Sequence, residues 1–385
     1  MNKVLLLNKI SPVGTDGFDR AKYEVSDNVQ NPDLILVRSA NMLDMEFGSD
    51  LLAIGRAGAG VNNIPVDRCA EQGIAVFNTP GANANGVKEL TIAALLLAAR
   101  DITGGVAWAQ TLTEDAAKAV EKGKSKFAGI ELQGKTLGVI GLGAIGGMVA
   151  NAAHALGMNV IGYDPFVTVD AAWRLSRSIK KATGYDEIFS ESDFITVHVP
   201  ATKDTKGMFN KTSFASMKDG VRIINLSRAD LVNAPDMIEA VKSGKVARYV
   251  TDFPTDEIIG VPGIIAIPHL GASTEESEDN CAVMAVSELI DYLEEGNIKN
   301  SVNYPNVSSP RNGLNRLCIM HRNIPAVISS VTTAISENNI NIEHLTNGSK
   351  GEMAYMIIDT AAELTDAIVE KVKSIKGIIR VRTIG

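Results

Sequence analysis

The sequence predicts an α/β protein: two doubly wound parallel-sheet domains followed by a small βαββαβ unit. Three observations carry this. Short apolar runs alternate with helical stretches in two successive series, a glycine-rich turn joins strand to helix early in the second series, and the tail restarts in a new order of elements.

In the first series, residues 4–7, 34–37, 52–54 and 74–77 read as buried strands, each a short apolar run. The stretches between them fit crossover helices, the rhythm of a parallel sheet covered on both faces. Residues 89–100, ELTIAALLLAAR, are apolar almost all round and read as a helix buried between domains. The second series begins at Gly134, with candidate strands at 137–140, 159–163, 194–198, 222–225, 249–251 and 264–267. Six such strands suit a complete Rossmann-like, dinucleotide-binding sheet. Residues 274–295 read as a helix, and residues 301–315 turn polar with two prolines, as a linker does. In the tail, strands at 317–320, 340–345, 353–359 and 378–383 with helices at 325–337 and 364–374 give the ferredoxin-like order. The expected domains are a substrate-binding domain at 1–95 completed by 282–305, a nucleotide domain at 96–281, a linker at 306–316 and a tail domain at 317–385.

Composition narrows the function. The 385 residues are 45% apolar and 21% charged, with a net charge of -8, so no basic face for nucleic acid or an anionic membrane is expected. Any anionic substrate must be held by a few local Arg or Lys side chains. Cys69, Cys281 and Cys318 are odd in number and widely spaced, which fits a reducing cytoplasm and argues against a disulfide framework or a metal site. The opening MNKVLLLNKI lacks a long apolar stretch and reads as a first strand. Residues 137–163 contain no charged side chain and have the length of a membrane span, but their seven glycines and Asn151, His154 and Asn159 fit strand, turn, buried helix and strand better.

The turn reads Gly141-Leu-Gly143-Ala144-Ile145-Gly146. The first glycine permits the tight turn, the second lets backbone approach a pyrophosphate, and the third lets helix and strand pack closely. A pyrophosphate then meets free N–H groups at a helix N-terminus. The next candidate strand ends at Asp164, placed to accept hydrogen bonds from ribose hydroxyls and to repel a 2′-phosphate. No Arg or Lys follows until Arg174, so the expected cofactor is NAD and not NADP.

Three further segments fall at strand ends, where open α/β sheets bind ligands. They are Asn225-Leu-Ser227-Arg228, Thr251-Asp252-Phe-Pro-Thr-Asp256-Glu257 and Pro268-His269-Leu-Gly-Ala-Ser273. A guanidinium can grip a carboxylate and its neighbouring carbonyl together. An imidazole is the natural proton carrier near neutral pH for oxidising an alcohol or reducing a ketone.

Together with Val37-Arg-Ser39, the stretch Gly55-Arg56-Ala-Gly58-Ala-Gly60-Val-Asn-Asn63, Val76-Phe-Asn-Thr-Pro80, Gly134-Lys-Thr-Leu-Gly138 and His198-Val-Pro200, these segments resemble the D-isomer-specific 2-hydroxyacid dehydrogenases, most closely their phosphoglycerate-oxidising branch. The resemblance runs in order through nearly the whole of the first 300 residues. It implies that Arg228 orients substrate and that His269 is the acid/base. Arg56, Gly58, Gly60 and Ser39 would bind the anionic end of a small-molecule substrate. The cofactor would meet Gly141, Gly143, Ala144, Ile145, Gly146, Asp164, His198, Pro200, Ser227 and Asp252. The carboxylate pairing with the imidazole departs from the usual pattern: an ungapped match gives Asp256, a one-residue gap gives Glu257. Ala144 stands where the family often has Arg.

The tail resembles an ACT domain. That implies an L-serine effector held by His321, Asn323 and Asn341, with Ile324 and Ala326 departing from the common loop. An ACT tail points to NAD-dependent oxidation of 3-phospho-D-glycerate in a cytoplasmic homodimer or homotetramer. The alternatives are another D-2-hydroxyacid dehydrogenase, such as a glyoxylate/hydroxypyruvate reductase, and an NAD-sensing, corepressor-like binding protein.

Overall fold

The computed structural model describes residues 1–311 and 315–385. It divides into two compact units, Met1–Asn83 with Glu278–Gly385, and Ala84–Ser277.

The first unit opens with a five-stranded parallel sheet of β1 (Asn2–Leu7), β2 (Tyr23–Ser26), β3 (Leu34–Val37), β4 (Ala53–Arg56) and β5 (Ala75–Asn78), in the order β2-β1-β3-β4-β5. β3 is buried along its whole length, which is why it reads as a continuous apolar run. β2, sequence YEVS, lies at the sheet edge and was not expected, since only Tyr23 is buried. The helix Glu275–Ile290, extended by the π-helical turn Asp291–Glu295, returns to this unit and places Ala282, Ala285, Val286 and Leu289 in its core.

The second unit holds a seven-stranded sheet of β6 (Thr136–Ile140), β7 (Asn159–Tyr163), β8 (Lys180–Lys181), β9 (Phe194–Val197), β10 (Val221–Asn225), β11 (Val246–Thr251) and β12 (Ile264–Ala266). Its order, β12-β11-β10-β9-β6-β7-β8, reverses direction between β6 and β9, the switch point where such sheets bind nucleotides. The sequence suggested six strands. The seventh, β8, is two exposed lysines with no apolar signal. The chargeless stretch becomes β6, the helix Ala144–Ala155 and β7.

The helix Ala84–Ala99 lies wholly in the second unit, packed on the helix Ala144–Ala155 and on β10 and β11. The two compact units part at 83/84 and 277/278, where the sequence suggested 95/96 and 281/282. Nor is this helix buried all round, since Leu96 is 41% exposed.

The tail forms an antiparallel sheet of β13 (Asn315–Arg322), β14 (Ile342–Lys350), β15 (Met353–Thr360) and β16 (Ile378–Ile384), in the order β14-β15-β13-β16. With the helices Val327–Ser336 and Asp366–Lys373 this is the expected βαββαβ. Strand alternation gives each face a separate task. Leu317, Ile319, Met356 and Ile358 pack under the two helices. Cys318, Met320, Tyr355 and Ile357 join the core of the first unit, beside Phe77, Tyr292 and Tyr304.

Of the linker expected at 306–316, residues 312–314 lie outside the described residues. The polar side chains that suggested a linker serve the outer edge of β5. Asn303 accepts from the Val76 N–H at 2.9 Å and donates to the Ile74 carbonyl at 2.9 Å. Tyr304 is fully buried and donates to the Ala70 carbonyl at 2.7 Å. An edge strand must satisfy its peptide groups, and here a neighbouring segment of polar residues does so.

Arg316 fixes the tail to this segment. Its guanidinium is wholly buried and pairs bidentately with Asp359, at 2.7 and 2.9 Å. It also donates to the carbonyls of Glu295, Ser309 and Pro310. Removing one partner of such a pair strands a buried charge. Arg316→Met should therefore lower unfolding stability by about 3–5 kcal/mol, and Arg316→Met combined with Asp359→Leu by clearly less. Urea unfolding of both variants checks this, and equal losses would contradict it.

Candidate active site

Parallel strands all deliver their carboxyl ends to one edge of the second sheet, and the site is assembled there. β6 ends in Gly141, whose φ of +87° suits glycine alone and whose N–H donates to the Tyr163 carbonyl at 2.9 Å. The helix Ala144–Ala155 then starts at Gly143 without any side-chain cap, so the amides of its first turn, at Ala144 and Ile145, are free to meet an anion. A Cβ on Gly146 would lie 1.9 Å from the Gly141 carbonyl oxygen, while a Cβ on Gly143 would meet nothing within 4 Å. The open space over Gly143 has room for a ligand group at the start of the helix.

Asp164 follows β7. One carboxylate oxygen accepts from the Leu142 N–H of the glycine turn and the other from the Phe166 N–H, both at 2.8 Å. Each oxygen keeps a lone pair for a ribose hydroxyl. His198 follows β9, with its Nε2 3.0 Å from Thr196 Oγ1 and its buried Nδ1 unpartnered. Burial pushes its pKa down to about 4, so the ring is neutral at physiological pH. Ser227 spends its hydroxyl on the Val197 carbonyl at 2.6 Å, and Pro200 is exposed, its carbonyl taken by Thr205.

β10 ends in Asn225, which is fully buried and shapes the next turn. Its Oδ1 accepts from the N–H groups of Ser227 and Arg228, and its Nδ2 donates to the Arg228 carbonyl at 2.8 Å. That fixes the backbone from which Arg228 projects. The Arg228 guanidinium lies 5.7 Å from the centre of the Phe253 ring, and the His269 ring lies 4.5 Å from the same ring. Phe253 is thus a common platform for the cation and the imidazole.

A buried carboxylate, Asp252, feels the charges of both residues. It is 1% exposed, and its Oδ2 accepts from the Gly271 N–H at 3.2 Å while its Oδ1 is buried without a partner. Burial raises its pKa, opposed by the Gly271 hydrogen bond and by the charges of His269 and Arg228. The structure does not bring Asp256 to His269. Asp256 and Glu257 are both exposed, and neither forms a hydrogen bond or ion pair with the imidazole among the described residues. Both acids lie beyond Thr255 on the exposed part of the loop, whereas Asp252 directly follows the last residue of β11.

In the first unit, Arg56 closes β4. Its Nε donates to the Arg38 carbonyl at 3.1 Å, and its guanidinium lies against Gly58, leaving no room there for a Cβ. Gly60 lies in the same turn, whose Ala59 carbonyl is held by Asn78 at 2.6 Å. Arg38 pairs with Glu278 at 2.5 Å. Ser39 is exposed, its N–H tied to Asn8.

In the tail, His321 is buried, with Nδ1 2.8 Å from the Arg322 carbonyl and Nε2 2.9 Å from Asn347 Oδ1. Asn323 donates to the Gly351 carbonyl at 3.1 Å, and Asn341 to Glu343 at 2.8 Å. Asn323 and Asn341 sit at opposite ends of the sheet, about 25 Å apart by strand rise. One copy does not bring all three together. Ala326, where a glycine is usual, holds a left-handed φ of +69°.

Sequence reasoning missed Asn225, Phe253 and Arg38. Asn225 and Phe253 lay inside segments already singled out, but an Asx turn and a shared ring contact are not visible as spacing.

A family model described as the NAD-binding domain of D-isomer specific 2-hydroxyacid dehydrogenases matches residues 92–271, and one described as an AHAS small subunit-like ACT domain matches residues 317–380. The protein called D-3-phosphoglycerate dehydrogenase 1 in Saccharomyces cerevisiae is 32% identical over 399 residues, covering 94% of this chain and 82% of that one. The chain belongs to the D-isomer-specific 2-hydroxyacid dehydrogenase family. It is an NAD-dependent dehydrogenase of that family, and its tail is an ACT domain. The D-3-phosphoglycerate dehydrogenase of Archaeoglobus fulgidus is 37% identical over 74% of this chain, but the match spans only 54% of that longer relative. An NAD+-bound 3-phosphoglycerate dehydrogenase from Entamoeba histolytica superposes with a TM-score of 0.61 at 26% identity, covering 78% of this chain and 98% of that one. A D-mandelate dehydrogenase from Rhodotorula graminis, at 23% identity and a TM-score of 0.69, shares the fold.

The two glycines of this dehydrogenase's nucleotide turn should separate binding from stability. Gly143→Ala should weaken NADH binding about tenfold or more with little change in melting temperature, because its methyl group fills that open space and touches no protein atom. Gly146→Ala should lower the melting temperature, because its methyl group collides with backbone. NADH titration and thermal unfolding read the two effects, and an unchanged NADH affinity in Gly143→Ala would contradict the assignment.

Proposed function

We propose that the protein oxidises 3-phospho-D-glycerate to 3-phosphohydroxypyruvate with NAD, the first step of L-serine biosynthesis. The observation that carries this reading is the joint seating of Arg228 and His269 on Phe253 at the strand ends, beside the glycine turn. The relatives named for this reaction support it, and the yeast one matches through the tail.

Arg228 holds the substrate carboxylate and orients C2. His269 takes the proton of the C2 hydroxyl during oxidation and returns it during reduction. Asp252, facing both, stabilises the imidazolium that results. NAD, when bound, accepts the hydride from C2. Arg56 and the Gly58 turn, in the first unit, offer an anion-binding surface.

An amino-acid effector on the ACT tail fits this role, with L-serine as the end product that feeds back. Because Asn323 and Asn341 lie at opposite ends of one sheet, both can meet a single effector only across two copies, which supports a homodimer or homotetramer. The three buried, unpaired thiols of Cys69, Cys281 and Cys318 fit a reducing cytoplasm.

The test is NADH oxidation with 3-phosphohydroxypyruvate and with unphosphorylated hydroxypyruvate, each with and without L-serine. The phosphorylated substrate should be strongly preferred, and serine should slow it. Equal or faster rates with hydroxypyruvate would point to a glyoxylate/hydroxypyruvate reductase instead. His269→Asn should lower kcat by about 10²–10⁴-fold while leaving NADH binding intact.

A further inference from the structure

Glu288 lies on the helix Glu275–Ile290, away from the residues assigned above. It is 8% exposed, yet only one of its oxygens is used among the described residues: Oε1 accepts from Asn300 Nδ2 at 2.7 Å, and Oε2 is buried with no partner among them. An unpaired buried carboxylate oxygen is costly, and a native structure that keeps one calls for an explanation. Glu288 lines an open cavity of about 500 Å³ in the first unit, together with Ala82, Met284, Ser287 and Lys299. That volume suits a small metabolite.

We propose that this cavity is a binding site for a small α-amino acid, whose ammonium group donates to Glu288 Oε2 and whose carboxylate meets Lys299. Among the described residues no side chain donates to Oε2, which leaves that place to a ligand donor. A primary ammonium is the compact group that satisfies a buried carboxylate with both charge and hydrogen bond. The other charged groups at the cavity, Asp291 and Lys299, are paired with each other at 2.8 Å, and the lysine keeps donors to spare. Ala82 and Met284 supply an apolar wall for a short side chain.

The position gives such a site a consequence. From Glu288 the hydrogen bonds run through Asn300, whose carbonyl accepts from the Asn78 N–H at 3.5 Å, to the Asn78 side chain, which holds the Ala59 carbonyl at 2.6 Å. Ala59 lies between Gly58 and Gly60, so the cavity touches the loop assigned to substrate through one short relay. Burial pushes the Glu288 carboxyl up to about 7, so its charge changes within the physiological range. The ammonium prefers the carboxylate, and affinity should fall as pH falls through that value.

Isothermal calorimetry on the full chain tests this without reference to turnover, so its outcome stands apart from that of the proposed reaction. The probes are L-serine, ethanolamine as the amine alone, and acetate as the carboxylate alone. L-serine and ethanolamine should bind and acetate should not, with weaker binding at pH 6 than at pH 8. Glu288→Gln keeps the Asn300 contact and should weaken ethanolamine by about tenfold or more. Ser287→Phe, a change on the exposed rim, should block the cavity. Failure of ethanolamine to bind, or ethanolamine binding that survives either substitution unchanged, would overturn the proposal; serine binding that remains in both variants belongs to the tail.

Discussion

The carboxyl ends of the parallel strands are the constraint on which the chemistry depends. A parallel sheet places every strand end on one edge, and the turns leaving that edge need not continue the ladder. β6, β7, β9, β10 and β11 each contribute one functional turn there: the glycine turn, Asp164, His198, Asn225–Arg228 and Asp252–Phe253. Buried polar groups hold these turns. Asn225 accepts two N–H groups and donates to a carbonyl, and Asp164 ties the glycine turn to its own loop. Backbone hydrogen bonds fix these turns, and Arg228 and His269 are exposed beyond them.

A second constraint shapes the tail. A ferredoxin-like sheet covered by helices on one face must hide the other. Here Cys318, Met320, Tyr355 and Ile357 are hidden against the first unit's own core, and Arg316 with Asp359 closes the seam. An effector bound to this ACT domain therefore acts on a body already continuous with the segment at 298–310 and with β5. Arg380 extends the same continuity by donating to the carbonyls of Leu51, Ser49 and Gln72 around β4, the strand that ends in Arg56.

Much of this was legible in the sequence, for identifiable reasons. The glycine turn is readable because backbone geometry leaves no other residue free to stand at Gly141 or Gly146. The buried strands are readable because a strand covered on both faces must be apolar throughout, as β3 is. What escaped notice lacked such a signal. β2 and β8 are edge strands with little to bury. The polar run at 301–310 has the composition of a linker, yet its Asn303 and Tyr304 are specified by the unpaired edge of β5, which is visible only once the sheet order is known. The carboxylate beside His269 was placed by counting along a loop. Loop length does not determine which acid turns inward: Asp252 is buried, while Asp256 and Glu257 are exposed.

The central question is which hydroxy acid gives up hydride to which cofactor. The direct measurement is initial NADH or NADPH formation from the separate D- and L-isomers of 3-phosphoglycerate with NAD or NADP. The account predicts turnover of the D-isomer with NAD, little with NADP because of Asp164, and none of the L-isomer. Turnover of the L-isomer, or no turnover of either at saturating NAD, would contradict it.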